Sequence, residues 1–174
     1  MNRGFSLIEV LVATTLTTTA TVGLAQLALI SARVNHDARS SSLASTLAAQ
    51  KMEQLRALAW SVDAAGNAVS DIATNTAVSP ESPSGGTGLT PSPRATLTQD
   101  VAGYCDYIDR AGRSWEGPPV PADAEFVRRW SIQSLDANET LLVQVSVMRV
   151  EVRGGARRAA GEARIADVRT RRAP

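Results

Sequence analysis

The first thirty residues constrain the fold of this chain more than any other part of it. From Phe5 to Ile30 every side chain is uncharged except one, Glu9. As a helix, residues 7–30 would be about 36 Å long, which is enough to cross the hydrocarbon core of a bilayer. An ionisable group inside such a helix is costly and usually has a function. The segment therefore predicts a membrane-spanning helix in which Glu9 has a specific role.

Two simpler interpretations compete with a functional carboxylate. Ser6 and Glu9 have the spacing of a capping box, in which both side chains bond free backbone donors at a helix start. The second interpretation is a secretory signal peptide in which Asn2 and Arg3 form the polar start. It fits poorly, because the apolar run is too long for a signal core, contains a glutamate and continues as a helical pattern. An uncleaved signal anchor remains open.

Residues 1–13 read MNRGFSLIEVLVA. This stretch resembles the prepilin-type cleavage and methylation motif of type IV pilins and type II secretion pseudopilins. The resemblance implies that a membrane prepilin peptidase cuts between Gly4 and Phe5 and N-methylates the new amine of Phe5. It also implies that this amine pairs with the Glu9 carboxylate of a neighbouring subunit. Such pairing would offset the cost of burying the acid and would set the register between subunits.

Three features depart from the usual pattern of that family. The leader before the cut has four residues and one basic side chain, Arg3, and no proline precedes Pro80, so we expect a straight helix. The apolar segment also contains six threonines, which lower its hydrophobicity. We expect their hydroxyls to bond carbonyls of the preceding turn. These residues are Thr14, Thr15, Thr17, Thr18, Thr19 and Thr21.

Apolar residues beyond the membrane segment recur at helical spacing, which predicts that the helix continues to about Trp60. The residues of this pattern are Ile30, Val34, Leu43, Leu47, Met52, Leu55 and Ala59. Residues 47–58 also resemble the equivalent helix of minor pilins of the pilus modification protein class and of I-type minor pseudopilins. An ordinary amphipathic helix would give the same pattern.

The rest of the chain predicts a loop followed by a β-sheet head. Residues 61–93 are rich in proline, glycine and serine, which is typical of a flexible loop. Residues 94–174 carry the strand signals. A small antiparallel sheet packed on the second half of the helix gives an α+β fold like that of pilins. The predicted organisation is leader 1–4, transmembrane or filament-core helix 5–30, periplasmic helix 31–60, loop 61–93 and head 94–174.

Strand signals are clearest after residue 125. Alternation places Phe126, Trp130 and Ile132 on one face of a strand. In the next strand the apolar residues change from odd-numbered to even-numbered positions after Met148, and this one-residue shift predicts a β-bulge. The predicted elements are strands over 126–133, 141–153 and 163–169, with turns at 136–139 and at Gly154–Gly155.

The residue types that serve most enzymes and metal sites are scarce in this chain. His36 is the one histidine and Cys105 the one cysteine, so neither has a second residue of its kind for a metal site or disulfide. Asp100, Asp106 and Asp109 could offer oxygen ligands to Ca²⁺, but their spacing lacks an established loop pattern. We interpret them as a solvated acidic loop. The sequence therefore predicts no enzyme activity, no cofactor and no bound metal.

Charge is unevenly distributed, since residues 126–174 contain ten arginines and five acids. Such a basic segment could bind nucleic acid or another anion. The candidate patch consists of Arg157, Arg158, Arg164, Arg169, Arg171 and Arg172. Interleaved acids and the lack of aromatic side chains between these arginines favour a solvated sheet face instead, and nucleic-acid binding is disfavoured. A signal-anchored periplasmic binding module with a basic sheet face is the alternative function.

The main prediction is a structural subunit, a minor pilin or pseudopilin, and the sequence leaves open whether its filament belongs to a type IV pilus or a type II secretion system. The absence of an internal disulfide favours the minor class, with a tip or initiator role. The resemblance implies three partners: prepilin peptidase, other pilin or pseudopilin subunits and the inner-membrane assembly platform. Arg3 before the span places the N-terminus in the cytoplasm and the head in the periplasm.

Overall fold

The structure is a computed structural model that describes residues 6–136, 139–153 and 156–171 and, within these ranges, side chains outside residues 151–162. It contains one long helix, α1 (Leu7–Ala57), and a set of strands. The strands are β1 (Trp60–Val62), β2 (Ala68–Ser70), β3 (Cys105–Asp109), β4 (Ser114–Glu116), β5 (Ala124–Asp136), β6 (Thr140–Arg153) and β7 (Ala156–Thr170). The chain divides into two compact units, residues 1–39 and 40–174.

The strands form two antiparallel sheets in the second unit. β1 and β2 make a small hairpin, and the larger sheet has the order β4-β3-β5-β6-β7. One face of this larger sheet packs on the C-terminal part of α1. The core cluster between them includes Met52, Leu55, Phe126, Trp130, Ile132, Leu141, Val143, Val145 and Val147. The predicted α+β class is therefore confirmed.

The helix ends at Ala57 rather than near Trp60. The last carbonyls of a helix have no partner within it and must find donors elsewhere. Here the guanidinium of Arg169 donates to the carbonyls of Leu55 and Leu58, at 2.8 and 3.0 Å. Trp60 instead enters β1 and pairs with Ser70. The side chain of Arg169 thus supplies hydrogen-bond donors that another turn of helix would otherwise supply.

The buried face of α1 is more alanine-rich than the predicted apolar stripe. Its buried residues are Ala44, Ala48, Lys51, Met52 and Leu55. Leu47 is only partly buried and Leu43 is 46% exposed. Small side chains let the helix backbone approach the sheet closely, and two of the fully buried positions are Ala44 and Ala48, each one residue after a leucine of the predicted pattern. A lysine on this face is the larger surprise.

The predicted β5–β6 hairpin is confirmed. Phe126, Trp130 and Ile132 are all buried, as their shared face requires. The backbone N–H of Glu139 donates to the carbonyl of Asp136 at 2.6 Å, which closes the predicted turn. The predicted glycine turn at 154–155 lies outside the described residues.

A register shift occurs where the bulge was expected, but the extra residue lies in β7. Val147 pairs with Ala163, whereas Met148 pairs with Gly161. Glu162 is therefore the additional residue, while β5 and β6 keep one register through this region. β7 also begins at Ala156 rather than at 163, because the long β6 offers backbone partners that require no apolar pattern in β7.

Residues 61–93 form more backbone hydrogen bonds than we expected from a composition rich in proline, glycine and serine. They contain the end of β1, all of β2 and a bridge between Asn75 and Ser82. The carbonyl of Asp71 accepts from Leu89 N–H at 2.7 Å, and Gly88 has a positive φ of 48° beside it. A Cβ at Gly88 would lie 2.5 Å from that carbonyl oxygen, so this close approach requires glycine.

Candidate functional site

The helix in residues 7–39 exposes its apolar side chains on all sides. It contains an apolar window long enough to cross a membrane, and none of that window is buried within the protein. Its exposed large apolar residues are Leu7, Ile8, Val10, Leu11, Val12, Leu16, Val22, Leu24, Leu27, Leu29, Ile30 and Val34. A helix that is apolar all round needs an apolar environment. The segment is therefore compatible with a single-pass membrane anchor.

The threonines of this segment satisfy their hydroxyls locally. Each donates to the carbonyl of the residue four positions earlier, as Thr15 does to Leu11 and Thr19 to Thr15, both at 2.7 Å. The same bond is made by Thr14, Thr17, Thr18 and Thr21. The expected back-bonding is confirmed, and the six hydroxyls need no partner from lipid or from another helix.

Glu9 lies in the first turn of α1, and its side chain is exposed. The carbonyl of Ser6 accepts from the backbone N–H of Glu9 at 3.0 Å and of Val10 at 3.2 Å. Ser6 is thus the N-cap, and Glu9 occupies the third helical position, as a capping box requires. Gly4 and Phe5 lie outside the described residues, so cleavage between them and the pairing of Phe5 with Glu9 stay predictions.

A fully buried lysine joins the helix to the sheet. The Nζ atom of Lys51 donates to Asp106 Oδ2 at 2.9 Å and to the Thr76 carbonyl at 2.5 Å. It also lies 4.3 Å from the ring centroid of Trp130, within cation–π distance. Lys51 therefore contacts β3, β5 and the loop that follows β2.

Asp106 connects Lys51 to a second buried cation. Arg128 in β5 donates to both carboxylate oxygens of Asp106, at 2.9 and 2.8 Å, which is the bidentate geometry that binds a carboxylate most strongly. Another nitrogen of Arg128 lies 3.4 Å from the carbonyl of Leu47 in α1. One carboxylate thus holds two cations, and the cluster of Lys51, Asp106 and Arg128 has one excess positive charge.

The pKa of Lys51 is lowered from 10.5 to about 8. Burial is the main cause, because it penalises the charged ammonium, and the attraction of Asp106 opposes it. The neighbouring charge of Arg128 lowers the pKa of Lys51 further, whereas Glu81 raises it slightly.

Sequence reasoning missed this cluster and was wrong about the aspartates. Asp106 was expected in a solvated loop, but it lies in β3 and is fully buried. Asp109 pairs with Arg113 at 2.8 Å, and Asp100 pairs with Arg129 at 2.7 Å. A usable signal was the position of Lys51 four residues after Leu47 and four before Leu55, two members of the predicted apolar pattern. Among the described residues, no group of three or more acidic, histidine or cysteine side chains could hold a metal.

Three arginines near the C-terminus, Arg164, Arg169 and Arg171, bind within the protein. Arg169 caps α1, and Arg171 stacks on Trp60 at 3.6 Å while it donates to the carbonyls of Ser61 and Val69 at 3.1 and 2.9 Å. Arg164 donates to Gln144 at 3.2 Å. These contacts tie β7 to the helix end and to the β1–β2 hairpin, so the described part of the basic segment does not present a row of uncommitted charges.

The lone histidine and cysteine occupy unrelated places. His36 is exposed on α1, 3.8 Å from the carboxylate of Asp37. Cys105 is buried in β3, and burial together with nearby carboxylates raises the pKa of its thiol to about 11. A thiol with this pKa is almost wholly protonated at neutral pH, so it is a poor nucleophile.

Replacing Lys51 by methionine tests the buried charge. Between pH 8 and 10.5 the unfolded chain binds a proton that folded Lys51 has lost, so Lys51 makes stability rise with pH in this window. We expect Lys51→Met to be as stable as the wild type at pH 7 or more stable. From pH 8 to 10, the free energy of unfolding of the wild type should then rise relative to that of the variant by roughly 1.4 kcal/mol per pH unit.

Denaturant titrations of both proteins at several pH values measure this difference. The contributions of Tyr104, Cys105 and Tyr107, whose pKa values are raised by burial, occur in both proteins and cancel. A difference in stability that stays constant from pH 7 to 10 would contradict the lowered pKa of Lys51.

No known protein family, curated protein or solved structure matches this chain.

Proposed function

We propose that this chain is a minor pilin or pseudopilin, a structural subunit rather than an enzyme. In this proposal prepilin peptidase removes residues 1–4 and methylates the amine of Phe5. The processed subunit then enters a type IV pilus or a type II secretion pseudopilus through its N-terminal helix.

The single observation that supports this most is the exposure of the apolar helix. Leu16, Leu24 and Leu29 are each more than 60% exposed, and nothing else in residues 7–39 covers them. A membrane can cover such a surface before assembly, and equivalent helices of other subunits can cover it in a filament. A head-to-tail contact that is repeated from subunit to subunit generates an open filament when its rotation does not close a ring.

Glu9 adds a reason for one defined register. Glu9 is the third residue of α1 and follows the proposed new N-terminus, Phe5, by four positions in the sequence. A carboxylate in an apolar surrounding is costly unless a cation is near. The amine of Phe5 from a neighbouring subunit is the cation that we propose, and only one stagger between helices brings the two groups together.

The proposed partners are prepilin peptidase, other pilin or pseudopilin subunits and the inner-membrane assembly platform. The proposed orientation has the N-terminus in the cytoplasm and the head in the periplasm, with Arg3 on the cytoplasmic side. A minor subunit with such a head suits the tip of the filament or its initiation. The alternative, a tethered module that binds an anion on its basic sheet face, gains no support from Arg169 and Arg171, which bind backbone carbonyls.

Processing is the direct test. We expect the protein from native membranes to begin at N-methylated Phe5 when prepilin peptidase is present, and to retain Met1 to Gly4 when the peptidase gene is deleted. Intact mass and the N-terminal peptide measure both states. The result follows from the position of Gly4, whose small size leaves the scissile bond accessible.

A Gly4→Leu variant is the matched control, because it should stay uncleaved in the presence of the peptidase. An unprocessed wild-type chain in both strains would rule out the pilin class. It would leave a permanent anchor and move the function to the head.

A further inference from the structure

A groove of about 650 Å³ lies on the face of the larger sheet that points away from α1. Trp130 of β5 and Val145 of β6 are paired across the strands and belong to the core against α1. The next pair, Ser131 and Gln144, therefore points to the opposite face, and both residues line the groove. A concave site of this size is in the range that holds small-molecule ligands.

The loop of residues 91–98 forms one side of the groove and is fixed to β5. The N–H of Ser92 donates to the carbonyl of Ile132 at 2.8 Å, and the N–H of Ile132 donates to Ser92 Oγ at 3.1 Å. Ser92 Oγ also shares a hydrogen bond of 3.1 Å with Ser131 Oγ and accepts from Thr96 Oγ1 at 3.3 Å. Because these hydroxyls bond one another, the shape of the groove is set before any ligand binds.

The groove is lined by two arginines, Arg94 and Arg164, and by no acid among the described residues. Arg164 of β7 donates to the neutral amide oxygen of Gln144 at 3.2 Å and makes no ion pair with any described residue. Arg94, in the loop, makes neither an ion pair nor a side-chain hydrogen bond within the described ranges. Both arginine side chains are exposed. The described lining thus carries two positive charges that no carboxylate neutralises.

The two arginines reach the groove from opposite sides. The loop that carries Arg94 is bonded to β5, whereas Arg164 lies in β7, and β6 runs between these strands. A guanidinium offers several N–H donors in a planar fork that matches a carboxylate or a phosphate group. None of the described lining residues is aromatic, so the groove offers no ring on which a nucleotide base could stack.

An unusual backbone conformation lies next to Arg94. Ala95 has a φ of 68° and is the one non-glycine residue with a positive φ in the part of the chain that the structure describes. Residues with a Cβ rarely adopt this conformation, and those that do are concentrated at binding and active sites. The carbonyl of Ala95 accepts from the N–H groups of Thr98 and Gln99, both at 2.9 Å, which holds the turn in place beside the groove.

We propose that this groove binds a small polar ligand through a carboxylate or phosphate group, with Arg94 and Arg164 as the binding cations. A preformed concave site suits a small ligand better than a segment of a partner protein, which needs a broader surface. The groove does not include Arg169 or Arg171. The inference depends on the head alone, so its failure would leave the test of processing unaffected.

The test uses the full chain in detergent micelles, with citrate and inorganic phosphate as separate probes and sorbitol as the uncharged control. Calorimetry measures the affinity, and backbone amide NMR signals show where each probe binds. We expect saturable binding of at least one anion, weakened by added NaCl, and none of sorbitol. Signals of residues 94–98, Gln144 and Arg164 should shift, and those of β4 should not. Tighter binding of citrate would identify a carboxylate as the preferred group, and tighter binding of phosphate would identify a phosphate.

Substitutions of the two arginines test the assignment. Arg94→Gln and Arg164→Gln should each weaken binding of the preferred anion about tenfold, the effect of losing a charge-assisted hydrogen bond. Both side chains are exposed, so the unfolding curve of the head should stay unchanged. Arg110→Gln is the matched control, because it removes the same charge from an exposed arginine outside the groove. It should leave the affinity unchanged.

Three outcomes would overturn the proposal. The first is the absence of saturable binding for both anions. The second is equal weakening by Arg94→Gln and Arg110→Gln, which would mean that the anion responds only to the net charge of the protein. The third is binding that leaves the signals of residues 94–98, Gln144 and Arg164 unchanged, which would place the anion elsewhere on the chain.

Discussion

Asp106→Asn is expected to destabilise the head by about 3 to 5 kcal/mol, the cost of leaving buried charge without its partner. Asp106 is fully buried and binds two cations, Lys51 at 2.9 Å and Arg128 at 2.8 Å. Lys51 can release its proton when the carboxylate is lost, but a guanidinium cannot. The charge of Arg128 would therefore remain buried and unpaired.

Tryptophan fluorescence during chemical denaturation of the full chain in micelles measures this loss. All three tryptophans, Trp60, Trp115 and Trp130, lie in the unit formed by residues 40–174, so the signal reports the head alone. Asp123→Asn removes an exposed acid and serves as the control, with an expected change below about 0.5 kcal/mol.

A double variant shows whether the loss comes from charge. Lys51→Met combined with Asp106→Asn removes one cation together with the acid, so it should be more stable than the sum of the two single changes predicts. Strict additivity, or a loss no larger than that of Asp123→Asn, would mean that the cluster is not held by electrostatics.

Much of the fold follows from patterns that act locally. The apolar run predicts α1, the alternation around Trp130 predicts β5, and the short polar segment after Asp136 predicts the hairpin into β6. Each of these signals depends on residues close in sequence, where helical or strand periodicity decides which side chains face the core. The α+β class then follows, because one helix and an antiparallel sheet must bury their apolar faces against each other.

The details that sequence reasoning missed depend on contacts between distant residues. The end of α1 is decided by Arg169, more than a hundred positions away, and the burial of Asp106 is decided by cations on α1 and β5. β3 is buried along its whole length, so it lacks the alternation that marks a half-buried strand. Its two aspartates made it resemble a loop.

The candidate residues at the N-terminus were predicted from a different kind of signal, one that is local in sequence. The signal for Glu9 needs no tertiary contact, because a single carboxylate in an uncharged segment is conspicuous by composition alone. The structure adds its position in the first turn of α1 and its exposure. It also shows that the threonine hydroxyls bond their own helix, so Glu9 stands out in residues 6–30 as the one charged side chain.

Glu9→Ala should leave membrane insertion unchanged and reduce incorporation into filaments at least about tenfold. Insertion depends on the apolar side chains of α1, which the substitution leaves in place, whereas the proposed pairing with the Phe5 amine of a neighbouring subunit is lost. An unpaired buried charge typically costs several kcal/mol, which is more than enough for a tenfold effect.

Immunoblots of membranes and of sheared pili or overproduced pseudopili measure the two quantities separately. Glu9→Asp keeps the charge on a shorter side chain and should recover part of the incorporation. The N-terminal mass of each variant must show normal processing, so that a defect in cleavage is not mistaken for a defect in assembly. Normal recovery of processed Glu9→Ala in filaments would exclude the pairing mechanism, and would mean that helix packing alone decides the register.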